Sequence, residues 1–203
     1  METIKKIDEI TVPDFRSTTW VKLDRASGTA ERITLEDSYR VAEYFQLHDG
    51  VPAEIRSYMD SVRTLFIYGW FYYPFYTFAG FLGTTAVEMA LRVRFPKPGR
   101  DFRGLKKLFR QAVKERLVRD ENFASREHAR TWEAAILAAM REGGSAYESP
   151  PERPYAEVVE ERLRRVRNEF AHPEAQWIMV PGQAISVLVL CAEVINQLWS
   201  ASA

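Results

Sequence analysis

From Thr64 to Val87 the chain carries no charged residue, a run of twenty-four positions. A run of that length either crosses a bilayer or lies at the centre of a folded core. Its content favours the core. Tyr68, Tyr72, Tyr73 and Tyr76 fall inside the run, whereas tyrosines of a true span gather at the two interfaces. Gly69, Gly80 and Gly83 interrupt it, and Pro74 removes a backbone donor near the middle. The expectation is a deeply buried helix pair, or one kinked helix, inside a soluble protein. A helical membrane-associated protein is the competing reading, and simple fractionation separates the two.

The rest of the chain reads as helices around that run. Thr18-Thr19-Trp20-Val21-Lys22-Leu23 is rich in strand formers, a turn-like stretch with Gly28 follows, and Glu31-Arg32-Ile33 is suited to pair back as a short β-hairpin. Thr34 is placed to cap a helix whose third position is Asp37 and which runs to about Leu47. Pro52 suits a helix start, and Ile55, Met59, Val62 and Phe66 recur at helical spacing, which predicts a helix to about Tyr72. Phe75 to Phe95 forms a second helix if Pro74 separates the two, and Pro96-Lys97-Pro98-Gly99 stops it. Gly104 to about Leu117 presents Leu105, Leu108, Phe109 and Val113 on one face. Glu127 to Met140 does the same with Trp132, Ile136, Leu137 and Met140. A loop from Arg141 to Pro154 leads to a charged helix, Tyr155 to about Ala171, with Val158, Val159, Leu163 and Val166 as its apolar line and Pro173 beyond its end. Gln183 to Trp199 is apolar on most sides. The fold class is therefore mainly α, an up-and-down bundle of four to five main helices with a possible short N-terminal β-hairpin. Residues 1–50 read as an appendage and 51–203 as the bundle.

Composition narrows the function classes. Twenty-eight basic residues balance twenty-eight acidic ones. A neutral chain is poorly suited to tight, non-specific binding of long nucleic acid, which rests on many phosphate contacts. Arginine outnumbers lysine 21 to 7, and its planar fork of donors suits phosphate or carboxylate. The one cysteine, Cys191, lies in an apolar run, which removes disulfide frameworks and cysteine metal sites within one chain. METIKKIDEI lacks the apolar core of a signal peptide, so a cytoplasmic location is expected. No P-loop, dinucleotide glycine fingerprint, His-Glu-x-x-His or Gly-x-Ser-x-Gly occurs. The three histidines are far apart, His48 and His128 read as solvated, and no Glu-x-x-His pair exists for a di-metal site, so neither metal nor cofactor is expected.

That leaves Arg167-Asn168-Glu169-Phe170-Ala171-His172. Histidine moves a proton near neutral pH, and arginine stabilises charge growing on phosphoryl oxygens. RNA supplies its own nucleophile, the 2′-hydroxyl, so this pair suits metal-independent phosphodiester cleavage. Asn168 lies four residues before His172, on nearly the same helix face, where it can orient the imidazole or contact substrate. Arg164 and Arg165 are candidates for additional phosphate contacts, or else for salt bridges to Glu157, Glu160 and Glu161 on a solvated face. Five residues of ideal helix set Arg167 and His172 about 140° apart. They converge if the helix frays before Pro173, or if a second copy completes the site across a two-fold axis. The bland reading of the same residues is a helix C-terminus at which a histidine is favoured by the dipole.

Arg167-Asn168-x-x-x-His172 resembles the Arg-x4–6-His motif of the HEPN superfamily, in which Asn, Asp or His usually follows the arginine. Its placement is similar too: the end of a late bundle helix, before one final apolar helix. Glu88-Met89-Ala90-Leu91-Arg92, in the charge-poor pair, looks like the earlier core helices of such bundles. The resemblance spans roughly residues 52–200, with six residues as its specific part. It implies a metal-independent endoribonuclease acting as a homodimer, with Arg167 and His172 catalytic and Asn168 supportive. It also implies toxin–antitoxin or anti-phage settings, with an antitoxin or nucleotidyltransferase partner. Many members are inactive modules that bind RNA, nucleotide or protein. The tyrosine of the His-x-Tyr toxin subgroup has no counterpart in His172-Pro173-Glu174.

Overall fold

The computed structural model describes residues 4–23, 28–96, 104–131, 138, 153–171 and 178–200. The chain is mainly helical, with one two-stranded antiparallel sheet near the N-terminus. Strand β1 (Val21–Leu23) pairs with β2 (Ala30–Arg32), with Val21 opposite Arg32 and Leu23 opposite Ala30. The helices are α1 (Phe15–Thr18), α2 (Leu35–Glu43), α3 (Ala53–Tyr68), α4 (Phe75–Arg94), α5 (Leu105–Lys114), α6 (Tyr155–Ala171) and α7 (Pro181–Trp199). Residues 124–131 are also helical. The expected face of Trp132, Ile136, Leu137 and Met140, the stop at Lys97-Pro98-Gly99 and the loop at 141–152 lie outside the described residues.

The charge-free run folds as a helix pair. Pro74 lacks the donor that a continuous helix needs, so α3 ends at Tyr68, a turn carries the chain across 69–74, and α4 begins at Phe75. Helix α4 then occupies the middle of the bundle. It packs most extensively on α7 and also meets α3, α5 and α6. Ala79, Ala86, Val87, Ala90 and Leu91 are wholly enclosed. Gly83 lets α7 approach closely: a Cβ there would stand 2.6 Å from Leu188 Cδ2. Helix α7 is the one described helix long and apolar enough to cross a membrane, and more than half of that window is buried against its neighbours. Burial pushes the Cys191 thiol on α7 upward, consistent with an inert side chain.

Thr34 and Asp37 form a reciprocal cap on α2: the Asp37 N–H donates to Thr34 Oγ1 and the Thr34 N–H to Asp37 Oδ2. The helix stops at Glu43 rather than near Leu47, while Phe45 and Leu47 turn inward to the core. Ile55, Met59, Val62 and Phe66 are all buried, as their spacing predicts. On two helices one expected apolar position is partly exposed and a smaller residue is buried. On α5, Ala112 is buried and Val113 is 38% exposed; on α6, Ala156 is buried and Val158 is 40% exposed. The enclosed sets (105, 108, 109 and 112; 156, 159, 160, 163 and 166) follow the 3.6-residue period.

Long-range polar contacts seat the elements. The Asp14 N–H donates to the Trp70 carbonyl and the Ser17 hydroxyl to the Gly69 carbonyl, which docks α1 on the α3–α4 turn. Burial raises the Asp14 carboxyl, but the hydrogen bonds and charge of Arg16 outweigh it and hold the group below its usual range. Asp120 accepts from the Tyr155 and Ala156 N–H groups at 2.7 and 2.8 Å, capping α6 from 35 residues away. Beside it, the Arg119 N–H donates to Gln197 Oε1 at 2.8 Å, and both the N–H and hydroxyl of Ser125 donate to Glu193.

Candidate functional site

Helix α6 ends in the residues singled out by sequence, and its last turn is fastened to α4. Phe170 stacks on Phe81, ring centroids 4.1 Å apart, and meets Phe78 edge-on at 5.7 Å. This places Arg167 beside Glu88, with Nε 3.0 Å from Oε2. The other oxygen of Glu88 faces Arg92 Nη2 at 2.7 Å, so one carboxylate is shared by two guanidinium groups. The Glu88 side chain is only 12% exposed, which strengthens both attractions. An open groove of about 660 Å³ runs over this cluster, with Phe81, Thr85, Met89 and Val93 as its apolar wall. Among the described residues Glu88 is the ion-pair partner of Arg167, which also lines the groove. Asn168 is exposed. His172, with Pro173 and Glu174, lies outside the described residues.

Arg164 and Arg165 enter different grooves. Arg164 Nε lies 3.5 Å from Glu160 Oε1, in a groove between α5 and α6 that Lys106 and Arg110 also line. Arg165 Nε lies 3.8 Å from Glu169, in a groove between α6 and α7 lined also by Arg162, Met179 and Gln183. The cause is helical: successive residues turn by about 100°, so neighbours in sequence cannot share a face. Arg164 finds the buried Glu160, whereas Glu157 and Glu161 are paired with Arg153 instead. Within one chain, then, Arg167 is not joined by Arg164 or Arg165. It is joined by Arg92 and Glu88, which the sequence reading did not assign to the site. A signal was present: Glu88 and Arg92 stand four apart, immediately after twenty-four uncharged positions.

His48 is exposed yet engaged rather than merely solvated. Its Nδ1 accepts from the Gly50 N–H at 3.0 Å, and Nε2 lies 3.0 Å from the Asn196 carbonyl, where it donates as the Nε2–H tautomer. His128 is exposed on the helical stretch 124–131. Among the described residues no cluster of three or more His, Cys, Asp or Glu could hold a metal ion. Comparison of the chain with protein-family models, with curated proteins and with solved structures finds no match in any of the three.

Proposed function

We propose that the chain is a metal-independent endoribonuclease of HEPN type, with Arg167 and His172 catalytic and Asn168 supporting them. One observation carries the reading: Arg167 is held by a nearly buried carboxylate and lines an open groove. A guanidinium fixed in that way loses little freedom when it meets a phosphoryl oxygen. In the proposed reaction the RNA 2′-oxygen bonds to the adjacent phosphorus and the P–O5′ bond breaks. His172 takes the 2′-hydroxyl proton, and the leaving 5′-oxygen receives a proton from the His172 of a second copy or from water. The products are a 2′,3′-cyclic phosphate and a free 5′-hydroxyl. A homodimer, a cytoplasmic setting and a partner antitoxin or nucleotidyltransferase in a defence system belong to the same proposal.

The test is cleavage of a mixed RNA panel in the presence of a chelator. Parent protein is expected to give cyclic phosphate ends. Arg167→Ala and His172→Ala are each expected to lower the rate at least about 100-fold, the scale of losing one oxyanion donor or acid–base group, with the helical fold retained by circular dichroism. Undiminished cleavage by both variants would overturn the assignment. A second reading, an inactive module that binds RNA, a nucleotide or a protein, is favoured by a different observation. Arg164, Arg165 and Arg167 each have a carboxylate partner within the chain, and net charge is zero. RNA retention without cleavage across the panel supports that second reading.

A further inference from the structure

Helix α6 carries Arg162, Arg164, Arg165 and Arg167. The last three have carboxylate partners in Glu160, Glu169 and Glu88 respectively. The two other carboxylates of α6, Glu157 and Glu161, are paired with Arg153. The one carboxylate of α7, Glu193, receives the N–H and the hydroxyl of Ser125. Among the described residues, Arg162 is thus the arginine of α6 that no carboxylate of α6 or α7 neutralises, and it is half-buried.

Arg162 lines an open groove of about 260 Å³ between α6 and α7, whose floor is the buried Val166, Met179 and Val187. Arg165 stands one turn further along α6 and borders the same space. Among the described residues, Glu169 is the one carboxylate on the lining, so two guanidinium groups face a single negative charge. Its pair with Arg165 is 3.8 Å long and exposed, a kind that contributes little. Gln183, from the first turn of α7, also lines the groove. Its Oε1 accepts from the Val180 N–H at 3.2 Å, which leaves its NH2 to donate.

Burial pulls the Arg162 pKa down, and the like charge of Arg165 acts in the same direction. The guanidinium keeps its proton at neutral pH all the same. A charge taken partly out of water is stabilised by an anion brought against it. A phosphate monoester presents three acceptor oxygens and a charge of about −1.5 to −2 at pH 7. Three oxygens match the three donor groups of the groove, whereas a carboxylate brings two oxygens and one charge.

We infer that the α6–α7 groove is a binding site for a phosphate group, carried as a monoester or as the free ion, held by Arg162 and Arg165 with Gln183 as the third donor. It is separate from the groove of Arg167 and Glu88, and it stands or falls without the ribonuclease reading.

Inorganic phosphate, phenyl phosphate and dimethyl phosphate are titrated into the ¹⁵N-labelled full chain, with sodium chloride at matched ionic strength as the control. The Nε–H resonances of Arg162 and Arg165 and the side-chain amide of Gln183 are followed. Inorganic phosphate is expected to shift all three saturably with a Kd below about 10 mM, the scale of two charge-assisted contacts. Phenyl phosphate is expected to bind at least as tightly, because the groove is open above its floor; its exclusion beside bound phosphate assigns the free ion. Dimethyl phosphate, with one charge and two unesterified oxygens, is expected to bind at least about fivefold more weakly. Arg162→Met keeps the reach of the side chain without its charge and is expected to abolish the Gln183 shift while circular dichroism is retained. Should that variant fail to fold, Arg165→Gln on the exposed rim is expected to weaken binding at least about fivefold. Shifts that never saturate, equal shifts with sodium chloride, a diester that binds as well as phosphate, or undiminished binding by the folded variant would each overturn the inference.

Discussion

Replacing Gly83 by alanine sets two effects of opposite sign against each other. In the interior of α4, alanine is favoured over glycine by about 1 kcal/mol through backbone entropy alone. The added methyl, however, would stand 2.6 Å from Leu188 Cδ2 and 3.3 Å from Cys191 Sγ. Both neighbours are wholly enclosed on α7, so neither side chain has room to swing away. Overfilling a tight core costs about 1–3 kcal/mol, and contact on two sides argues for the upper part of that range. The net expectation for Gly83→Ala is a loss of about 1–2 kcal/mol after the helical gain is subtracted. For a chain of this size that corresponds to a melting temperature lower by about 2–8 °C. Gly182→Ala is the matched control. It lies at the second position of α7, and nothing stands within 4 Å of the added methyl. It is expected to gain about 0.4–1 kcal/mol. Gly80→Ala is intermediate, because the obstacle is the Met179 thioether at 2.8 Å, an adaptable group in an enclosed place. Thermal and urea unfolding followed by circular dichroism rank the three. A Gly83→Ala protein that melts at or above the parent temperature would refute the close α4–α7 approach on which the estimate rests.

Two further outcomes follow from the polar contacts. The hydrogen bond from Lys22, ahead of those from Thr34, holds the Asp37 carboxyl down at about 2 from its ordinary 3.8. Because the folded value is the lower one, the stability it contributes is complete above about pH 4 and is lost as the pH falls through about 2. Acid titration followed by the Asp37 carboxyl ¹³C shift is expected to show that window, and Asp37→Asn to flatten the stability profile across it. Removing the remote cap with Asp120→Ala is expected to cost about 1 kcal/mol, the usual value of an N-cap, read as a lower urea midpoint with unchanged slope. An unaltered midpoint would mean that the two N–H groups of α6 find equivalent partners elsewhere.

Local signals were readable in the chain and distant ones were not. Thr34 and Asp37 stand three residues apart and announce a cap; Pro74 announces the break; the bounds Tyr155–Ala171 follow from charge and period. Each is decided by neighbours within a turn or two. Asp120 capping α6, Glu193 receiving Ser125 and Asn196 meeting His48 join residues 35 to 148 positions apart, and no periodicity encodes such pairs. The candidate site divides in the same way. Arg167 was picked out by its local motif. Its partner Glu88 belongs to another helix, 79 positions earlier, whereas the divergence of Arg164 and Arg165 follows from the helical turn alone.

The clamp at residues 119–125 has a consequence for how this chain can change. Helix α6 is positioned at its entry by Asp120, while Arg119 and Ser125 are anchored to Gln197 and Glu193 on α7. Its exit is positioned by Phe170 against Phe81. Selection on where Arg167 sits therefore acts in part through side chains distant from it in sequence, Asp120 at the entry of α6 and Phe81 beside its exit.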